Sequence, residues 1–271
     1  MKAAPESIIG EVLGEPAARQ RSPATAGYLC PFINSECTKR GHRRKGPYPV
    51  CSVWHSVKSP RLMATCPQRF YQVDVVADVV AHCWPGPPPK NPRFAPEVSM
   101  DKFGTVDLVV ADLDDEARQI KEFVSVELQA VDLGGTVQPA YSALLNHELI
   151  VETTYGVNWA NVRKRYMDQL VAKSFYHNRW GTRIVAVMQT PLYDYLQRHI
   201  KFDELATGPG TVVDVFFLLY DFVEGTGPDE THTLVFDRVV GTSHSSLMTH
   251  TLYQNPPTKK VFAARILERL Q

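Results

Sequence analysis

The sequence has no net charge, no long apolar run and few cysteines. Lys plus Arg equals Asp plus Glu at 29 each, so the bulk charge indicates no polyanionic partner. No run of about 18 apolar residues occurs, and a membrane-spanning helix needs one. The first residues are too polar for the apolar segment of a signal peptide. We therefore expect a cytoplasmic protein with reduced thiols and no membrane partner.

The charges that are present lie in blocks. Residues 1–70 hold eleven basic and four acidic side chains, residues 71–156 hold five and fourteen, and residues 157–201 hold eight and two. Basic blocks on both sides of an acidic block suit double-stranded DNA that is cut where carboxylates hold metal ions. The alternative for any single basic block is a solvated loop.

Two strand-like runs carry the most informative pattern of the chain. In TVDLVV (105–110) and FVSVELQ (123–129), apolar side chains alternate with the rest. Alternation places Asp107, Glu127 and Gln129 on one surface of two neighbouring strands. Hard divalent cations take oxygen ligands and leave positions open for water and phosphate. The pattern therefore predicts a magnesium site.

A further acid precedes these runs. Glu97 lies ten residues before Asp107 in FAPEVSM and could add a carboxylate near the metal, the alternative being a plain surface acid. Asp107 and Glu127, with the backbone carbonyl of Leu128, would hold one or two magnesium ions against a phosphodiester. Gln129 would orient the attacking water through its amide.

The remaining patterns predict an α/β protein with a mixed sheet flanked by helices. At 271 residues, the chain can form one large domain or two smaller ones. Helices are predicted from three- and four-residue spacing and strands from apolar runs. These are helices at 158–177, 191–200 and 259–270 and strands at 105–113, 121–129, 183–189, 211–222 and 231–240.

Three segments are expected along the chain. Residues 1–26 form an N-terminal arm with a short amphipathic piece, and residues 27–82 form a cysteine-rich metal-binding subdomain. Residues 83–271 form the catalytic core with C-terminal strands and a helix. The boundary rests on CWPGPPPKNPRF (83–94), a connector rich in Pro and Gly.

Four of the five cysteines fall within 37 residues. Cys30, Cys37, Cys51 and Cys66 are separated by six, thirteen and fourteen residues, unlike the tight pairs of common zinc ribbons. They are either small buried thiols or a four-thiolate metal site. The surrounding segment has few aliphatic residues and needs a cross-link to stay folded. A four-thiolate metal site supplies about 10 kcal/mol of folding free energy. Four thiolates suit iron or zinc equally.

Several motifs resemble those of the NotI-type restriction endonucleases. They are the cysteine-containing CPFINSECTK (30–39), CSVW (51–54) and ATCPQRF (64–70), and the strand VSVELQAVDLGGT (124–136). The resemblance covers residues 27–200 in the same order. It implies a PD-(D/E)xK nuclease core with glutamine in the place of the usual lysine, and magnesium-dependent cleavage.

The resemblance also assigns residues and partners. Asp107 matches the first acid of the motif, Glu127 the second and Gln129 the glutamine, with Val106 where the name of the motif has proline. The family's four-cysteine iron site maps onto Cys30, Cys37, Cys51 and Cys66. The implied enzyme is a homodimer that cuts palindromic, GC-rich double-stranded DNA, accompanied by a DNA methyltransferase of the same system.

Two other functions fit the same residues. One is a different nuclease on the same core, from DNA repair or a mobile element. The other is a metal-stapled DNA-binding module whose acidic face is structural. Carboxylates that face DNA repel phosphate unless a metal lies between them, which favours a nuclease. Discrete bands from a plasmid with magnesium would indicate a restriction enzyme, a smear another nuclease, and a gel shift without cutting the module.

Overall fold

A computed structural model gives the structure of the protein. It describes residues 8–19, 27–40, 46–55, 60–114, 116, 119–134, 137–146, 148, 156–207, 212–223, 231–254 and 256–270. The strands in these residues are β1 Ile9–Val12, β2 Glu15–Pro16, β3 Leu29–Cys30, β4 Ser35–Glu36, β5 Val50–His55, β6 Arg61–Ala64, β7 Pro92–Ser99, β8 Thr105–Leu113, β9 Ile120–Gln129, β10 Leu133–Gly134, β11 Gly156–Val157, β12 Arg183–Gln189, β13 Val215–Val223 and β14 Thr233–Thr242. The helices are α1 Val75–His82, α2 Gln138–Leu145, α3 Trp159–Trp180, α4 Thr190–Ile200, α5 His244–Leu252 and α6 Lys259–Leu267.

A six-stranded sheet forms the centre of the molecule. Its strand order is β14-β13-β12-β9-β8-β7. Strand β12 runs parallel to β9 and β13, whereas β14, β8 and β7 pair antiparallel with their neighbours. Helices lie on both faces of this sheet, so the predicted mixed sheet flanked by helices is confirmed.

The alternation of β8 and β9 places their apolar residues against one core. Leu108, Val110, Val124 and Val126 are buried there together with residues of α1 and of a 3₁₀-helix at Pro67–Gln72. Because successive side chains point to opposite faces, the polar residues of these strands face the other helix layer. The predicted strands at 105–113 and 121–129 are confirmed.

Helix α3 is the long element of that second layer. The side chain of Asn158 caps its first turn by accepting from the amide of Asn161, and Gly181 ends it in the left-handed conformation at φ 69°. A buried row along α3 packs onto the sheet. The helix predicted at 158–177 is confirmed and extends three residues further.

Strands β13 and β14 and helix α6 follow the prediction with shifted ends, whereas helix α5 was not predicted. Strands β13 and β14 pair antiparallel, although their connection at 224–230 lies outside the described residues. Helix α6 has no buried residue. In the described part of the chain, no helix is long and apolar enough to cross a membrane.

A smaller sheet of order β2-β1-β5-β6 carries the N-terminal part of the chain. The predicted amphipathic piece is strand β1. It pairs antiparallel with β5, a strand that lies between Cys37 and Cys66 in the sequence. The side chain of Gln189 joins this sheet to the central one, accepting from the amide of Ala64 at 2.6 Å and donating to the carbonyl of Leu62 at 3.0 Å. Cys30 and Cys37 belong to the same hydrophobic cluster as residues of α3 and α4.

Candidate active site

Asp107 and Glu127 lie opposite each other on β8 and β9. Leu108 pairs with Val126, and the next position along places Asp107 across from Glu127. The amide of Leu128 donates a hydrogen bond to Oδ2 of Asp107 at 2.7 Å, which fixes the carboxylate against the neighbouring strand. Asp107 is half-buried and Glu127 is only 7% exposed. The two predicted acids therefore form a close, partly desolvated pair.

Glu97 extends this row of acids to the edge strand. It lies on β7 between the pairs Pro96–Leu108 and Val98–Val106, which puts it beside Asp107. Its φ of 51° is in the left-handed region, where a residue with a side chain is strained. Glu97 is exposed, and its charge contributes to raising the pKa of Asp107. Three carboxylates thus follow one another across three strands.

Burial dominates the electrostatics of the pair. Desolvation raises the pKa of Asp107, against the opposing hydrogen bond from Leu128 and the charge of Lys173. Desolvation also raises the pKa of Glu127 to about 7, although a hydrogen bond from Lys173 opposes the rise. A cation placed between the two carboxylates would favour their ionised forms. The site is therefore suited to binding positive charge.

Gln129 follows Glu127 on the same face of β9 by alternation. Its side chain donates to the carbonyl of Ala130 at 2.6 Å. The amide of Gln129 is thus held by the backbone of the next residue and, among the described hydrogen bonds, contacts neither acid.

Helix α3 covers the acids and contributes two residues that the sequence patterns did not reveal. Nζ of Lys173 lies 2.5 Å from Oε1 of Glu127. Tyr166, two turns earlier, has a buried hydroxyl without a hydrogen-bond partner in the described residues. Burial raises the pKa of Tyr166, and Glu127 and Asp107 add to the rise. A helix residue seven positions from another lies on the same face, so this spacing was the available signal.

Cys37, Cys51 and Cys66 lie near the half-buried Lys39, and Cys30 lies near Cys37 and Cys66. Cys30, Cys37 and Cys51 are buried, Cys66 is half-buried, and all are free thiols. Burial raises the pKa of the Cys37, Cys51 and Cys66 thiols, and neighbouring cysteines add to each rise. Nζ of Lys39 donates to the carbonyl of Val50 at 2.6 Å and to Thr65. The donor atoms are those of a thiolate metal site, and the cysteines are near enough to act on one another's charge.

The structure does not assemble these donors into a metal-binding arrangement. Across the described ranges, no group of three or more His, Cys, Asp or Glu side chains could hold a metal ion. The expected iron or zinc site at the cysteines is therefore unsupported by the geometry. Asp107 and Glu127 can still serve a magnesium ion as a pair. Magnesium uses one or two carboxylates and takes its remaining ligands from water and phosphate.

Part of the basic block at residues 38–69 faces the interior. Lys39 is half-buried with its ammonium on the carbonyl of Val50, and Arg69 is fully buried in an ion pair with Glu11. Arg43, Arg44, Lys45 and Lys58 lie outside the described residues. Some of the positive charge that the sequence offered for phosphate contacts is therefore structural.

The family model of restriction endonuclease NotI matches residues 11–234. This match covers well over half of the chain and includes the acid pair, the cysteines and α3. The protein is therefore a type II restriction endonuclease, a site-specific deoxyribonuclease that acts on DNA. Within that class, it belongs to the NotI restriction endonuclease family, as its motifs predicted. Restriction endonucleases generally use Mg²⁺. Among curated proteins, no match is found.

Proposed function

We propose that the protein cleaves both strands of a palindromic, GC-rich DNA site with magnesium ions held at Asp107 and Glu127. The proposal rests on one observation, the pair of partly desolvated carboxylates that face each other on adjacent strands. Desolvated acids with raised pKa values are costly unless positive charge reaches them. A phosphodiester brought to this place would supply the remaining oxygen ligands of the metal.

The arrangement supports a PD-(D/E)xK nuclease core. Asp107 takes the place of the first acid, Glu127 of the second and Gln129 of the residue after the spacer. Glu97, beside Asp107, adds a third carboxylate that strengthens attraction of a divalent ion. A bound magnesium ion would polarise the phosphodiester and lower the pKa of a bound water. The chain itself holds Asp107 in place through the hydrogen bond from the Leu128 amide.

The proposed assembly is a homodimer. Cutting both strands of a palindrome requires two active sites related by a twofold axis. Arginine side chains suit the O6 and N7 atoms of guanine, which supports a GC-rich site. A DNA methyltransferase of the same system would protect the cell's own copies of the site.

The proposed organisation keeps an N-terminal arm at 1–26, a four-cysteine subdomain at 27–82 and a nuclease core at 83–271. A structural iron or zinc ion at Cys30, Cys37, Cys51 and Cys66 stays a prediction. Four free thiols are present, each able to act as a soft ligand after losing its proton, although the described residues do not bring three of them into a metal-binding group.

Plasmid cleavage with a matched pair of variants tests the function. Asp107→Asn keeps an oxygen acceptor for the Leu128 amide while removing the charge, so we expect a folded protein that binds DNA and cuts at least about a thousandfold more slowly. Asp112→Asn, on the same strand, removes a charge that lies opposite Glu122 and away from the site. It should cut at the wild-type rate.

The outcome separates the alternatives. Discrete fragments from the wild-type protein with Mg²⁺, lost in Asp107→Asn alone, support the assignment. Normal cutting by Asp107→Asn would remove this acid from the site. Mapping the cleaved ends on a sequenced plasmid would then give the recognition site, and sedimentation of the DNA complex would give the number of subunits.

A further inference from the structure

Lys173 is a buried lysine in the middle of the acid site. It projects from α3 and is 5% exposed. Its Nζ donates to Oε1 of Glu127 at 2.5 Å and to the backbone carbonyl of Thr105, at the start of β8, at 2.7 Å. One cation thus contacts both strands that carry the candidate metal ligands.

Structural stabilisation explains this lysine poorly. Removing an ammonium and a carboxylate from water costs several kcal/mol per ion, and the attraction between them seldom exceeds that cost. An apolar pair at the same place would pack α3 onto the sheet at least as well. The charge of Lys173 is therefore more readily explained by what the site does.

The site otherwise lacks a cation. Throughout the described part of the chain, Lys173 is the lysine or arginine whose charge acts on both Asp107 and Glu127. Gln129 is neutral, and its amide is held by the carbonyl of Ala130. An ammonium carries three N–H donors. The described residues provide acceptors for two, Glu127 and Thr105, which leaves one donor for an incoming oxygen.

The position of Lys173 is rigid. Leu170 and Tyr166 lie on the same face of α3 and are buried with it, and the Asn158 and Gly181 caps fix both ends of the helix. A charge held in advance in a water-poor site needs little reorganisation when negative charge develops nearby. This is the condition under which a single donor contributes most to a reaction.

We propose that Lys173 is the catalytic cation of the cleavage site, supplying from α3 the positive charge toward the scissile phosphate that Gln129 cannot supply. In hydrolysis, a water oxygen forms a bond to phosphorus while the bond from phosphorus to the leaving sugar oxygen breaks. The water loses a proton to solvent and the leaving oxygen gains one. Lys173 stays protonated throughout and neutralises charge on a non-bridging phosphate oxygen. This role rests on the proposed function of Asp107 and Glu127.

Two substitutions at Lys173 separate charge from hydrogen bonding. Lys173→Gln keeps a donor to Glu127 and removes the charge, whereas Lys173→Arg keeps both. With supercoiled plasmid and Mg²⁺ under single-turnover conditions at saturating enzyme, Lys173→Gln should cut at least about a hundredfold more slowly. Its plasmid affinity without Mg²⁺ should stay within about threefold of wild type. Lys173→Arg should keep at least about tenfold more activity than Lys173→Gln.

A double variant tests whether a positive charge placed on β9 can replace the charge of Lys173. In the Lys173→Gln background, Gln129→Lys returns a cation to the same face of β9 and should raise the cutting rate at least about tenfold. Lys260→Met removes an exposed lysine of α6, outside the basic block at 157–201, and should leave the single-turnover rate within twofold. Circular dichroism and melting temperature establish that each variant is folded.

Failure of the inference differs from failure of the proposed function. If Asp107→Asn is inactive while folded Lys173→Gln cuts like wild type, Lys173 is not catalytic and the acid site stands. Equal loss in Lys173→Arg and Lys173→Gln without rescue by Gln129→Lys would also overturn the inference, because it marks a purely structural contact. Normal cutting by Asp107→Asn would instead overturn the acid site.

Discussion

Arg69 and Glu11 form a fully buried, two-pronged ion pair. Nη2 of Arg69 lies 2.9 Å from Oε1 of Glu11, and Nε lies 3.0 Å from Oε2. The guanidinium also lies between the rings of Phe32 and Phe222, at 4.7 and 5.0 Å from their centroids. Strand β1, the segment after Cys66 and strand β13 are thereby held at one point.

Removing one partner of this pair should destabilise the fold strongly. Arg69→Met leaves the charge of Glu11 buried and unpaired, which costs about 3–5 kcal/mol. Thermal and urea denaturation would measure the loss. Arg40→Met breaks an ion pair with Glu36 whose side chains are at least half exposed, so it should cost less than about 1 kcal/mol. Equal melting temperatures for the two variants would contradict this prediction.

The stability of the metal-free protein should fall as pH rises from about 4.5 to about 7. Burial raises the pKa of Glu127 to about 7, above the 4.5 of an ordinary glutamate, so between these values the folded state binds more protons than the unfolded state. The free energy of unfolding therefore decreases with pH across this window, by on the order of 3 kcal/mol from this group.

Melting curves in EDTA at pH 5 and pH 8 would measure this effect. Glu127→Gln should show a smaller difference between the two pH values than the wild type, whereas Asp112→Asn should keep the full difference. A Glu127→Gln protein with the wild-type pH dependence would rule out this carboxyl as the source.

Tyr166→Phe tests whether the buried hydroxyl serves the site. Among the described residues it has no hydrogen-bond partner, and an unsatisfied buried hydroxyl costs about 1–3 kcal/mol. The variant should therefore be at least as stable as wild type while cutting DNA about tenfold more slowly. Tyr253→Phe, at a side chain 74% exposed, should change neither quantity. A stability loss above about 1 kcal/mol would show that the hydroxyl is structural.

The cysteine site is tested by metal content. If Cys30, Cys37, Cys51 and Cys66 hold a metal, the purified protein should carry about one iron or zinc ion per chain. Cys51→Ser should lose most of it, and the melting temperature should fall. Cys83→Ser changes a buried cysteine outside the cluster and should keep the metal. Metal-free wild-type protein that melts normally would favour simple buried thiols.

The sequence predicted the elements whose patterns are set by one buried face. Strands β8 and β9 alternate because one face packs in the core, and α3 shows helical spacing because one stripe packs on the sheet. Asp107 and Glu127 were found for the same reason, since the alternation of apolar residues places both acids on the opposite face of their strands.

Lys173 was missed because its burial depends on a distant strand. Within α3, Lys173 follows Leu170 and Val171 and has the pattern of any helix lysine. No local pattern shows that its ammonium contacts Glu127, 46 residues earlier in the chain. Strand β1 was read only as amphipathic, because four residues cannot separate strand from helix by period alone. The segment is a strand because it pairs with β5, which is distant in the sequence.

The side-chain amide of Gln189 links the small sheet to the central sheet through two hydrogen bonds. Deleting the first 66 residues would remove Ala64 and Leu62, the two backbone partners of the Gln189 side chain. That side chain would stay buried at the end of β12 without them. Exchanging the segment that contains Leu62 and Ala64 between related enzymes would therefore give a stable protein only when the incoming segment preserves these two hydrogen bonds.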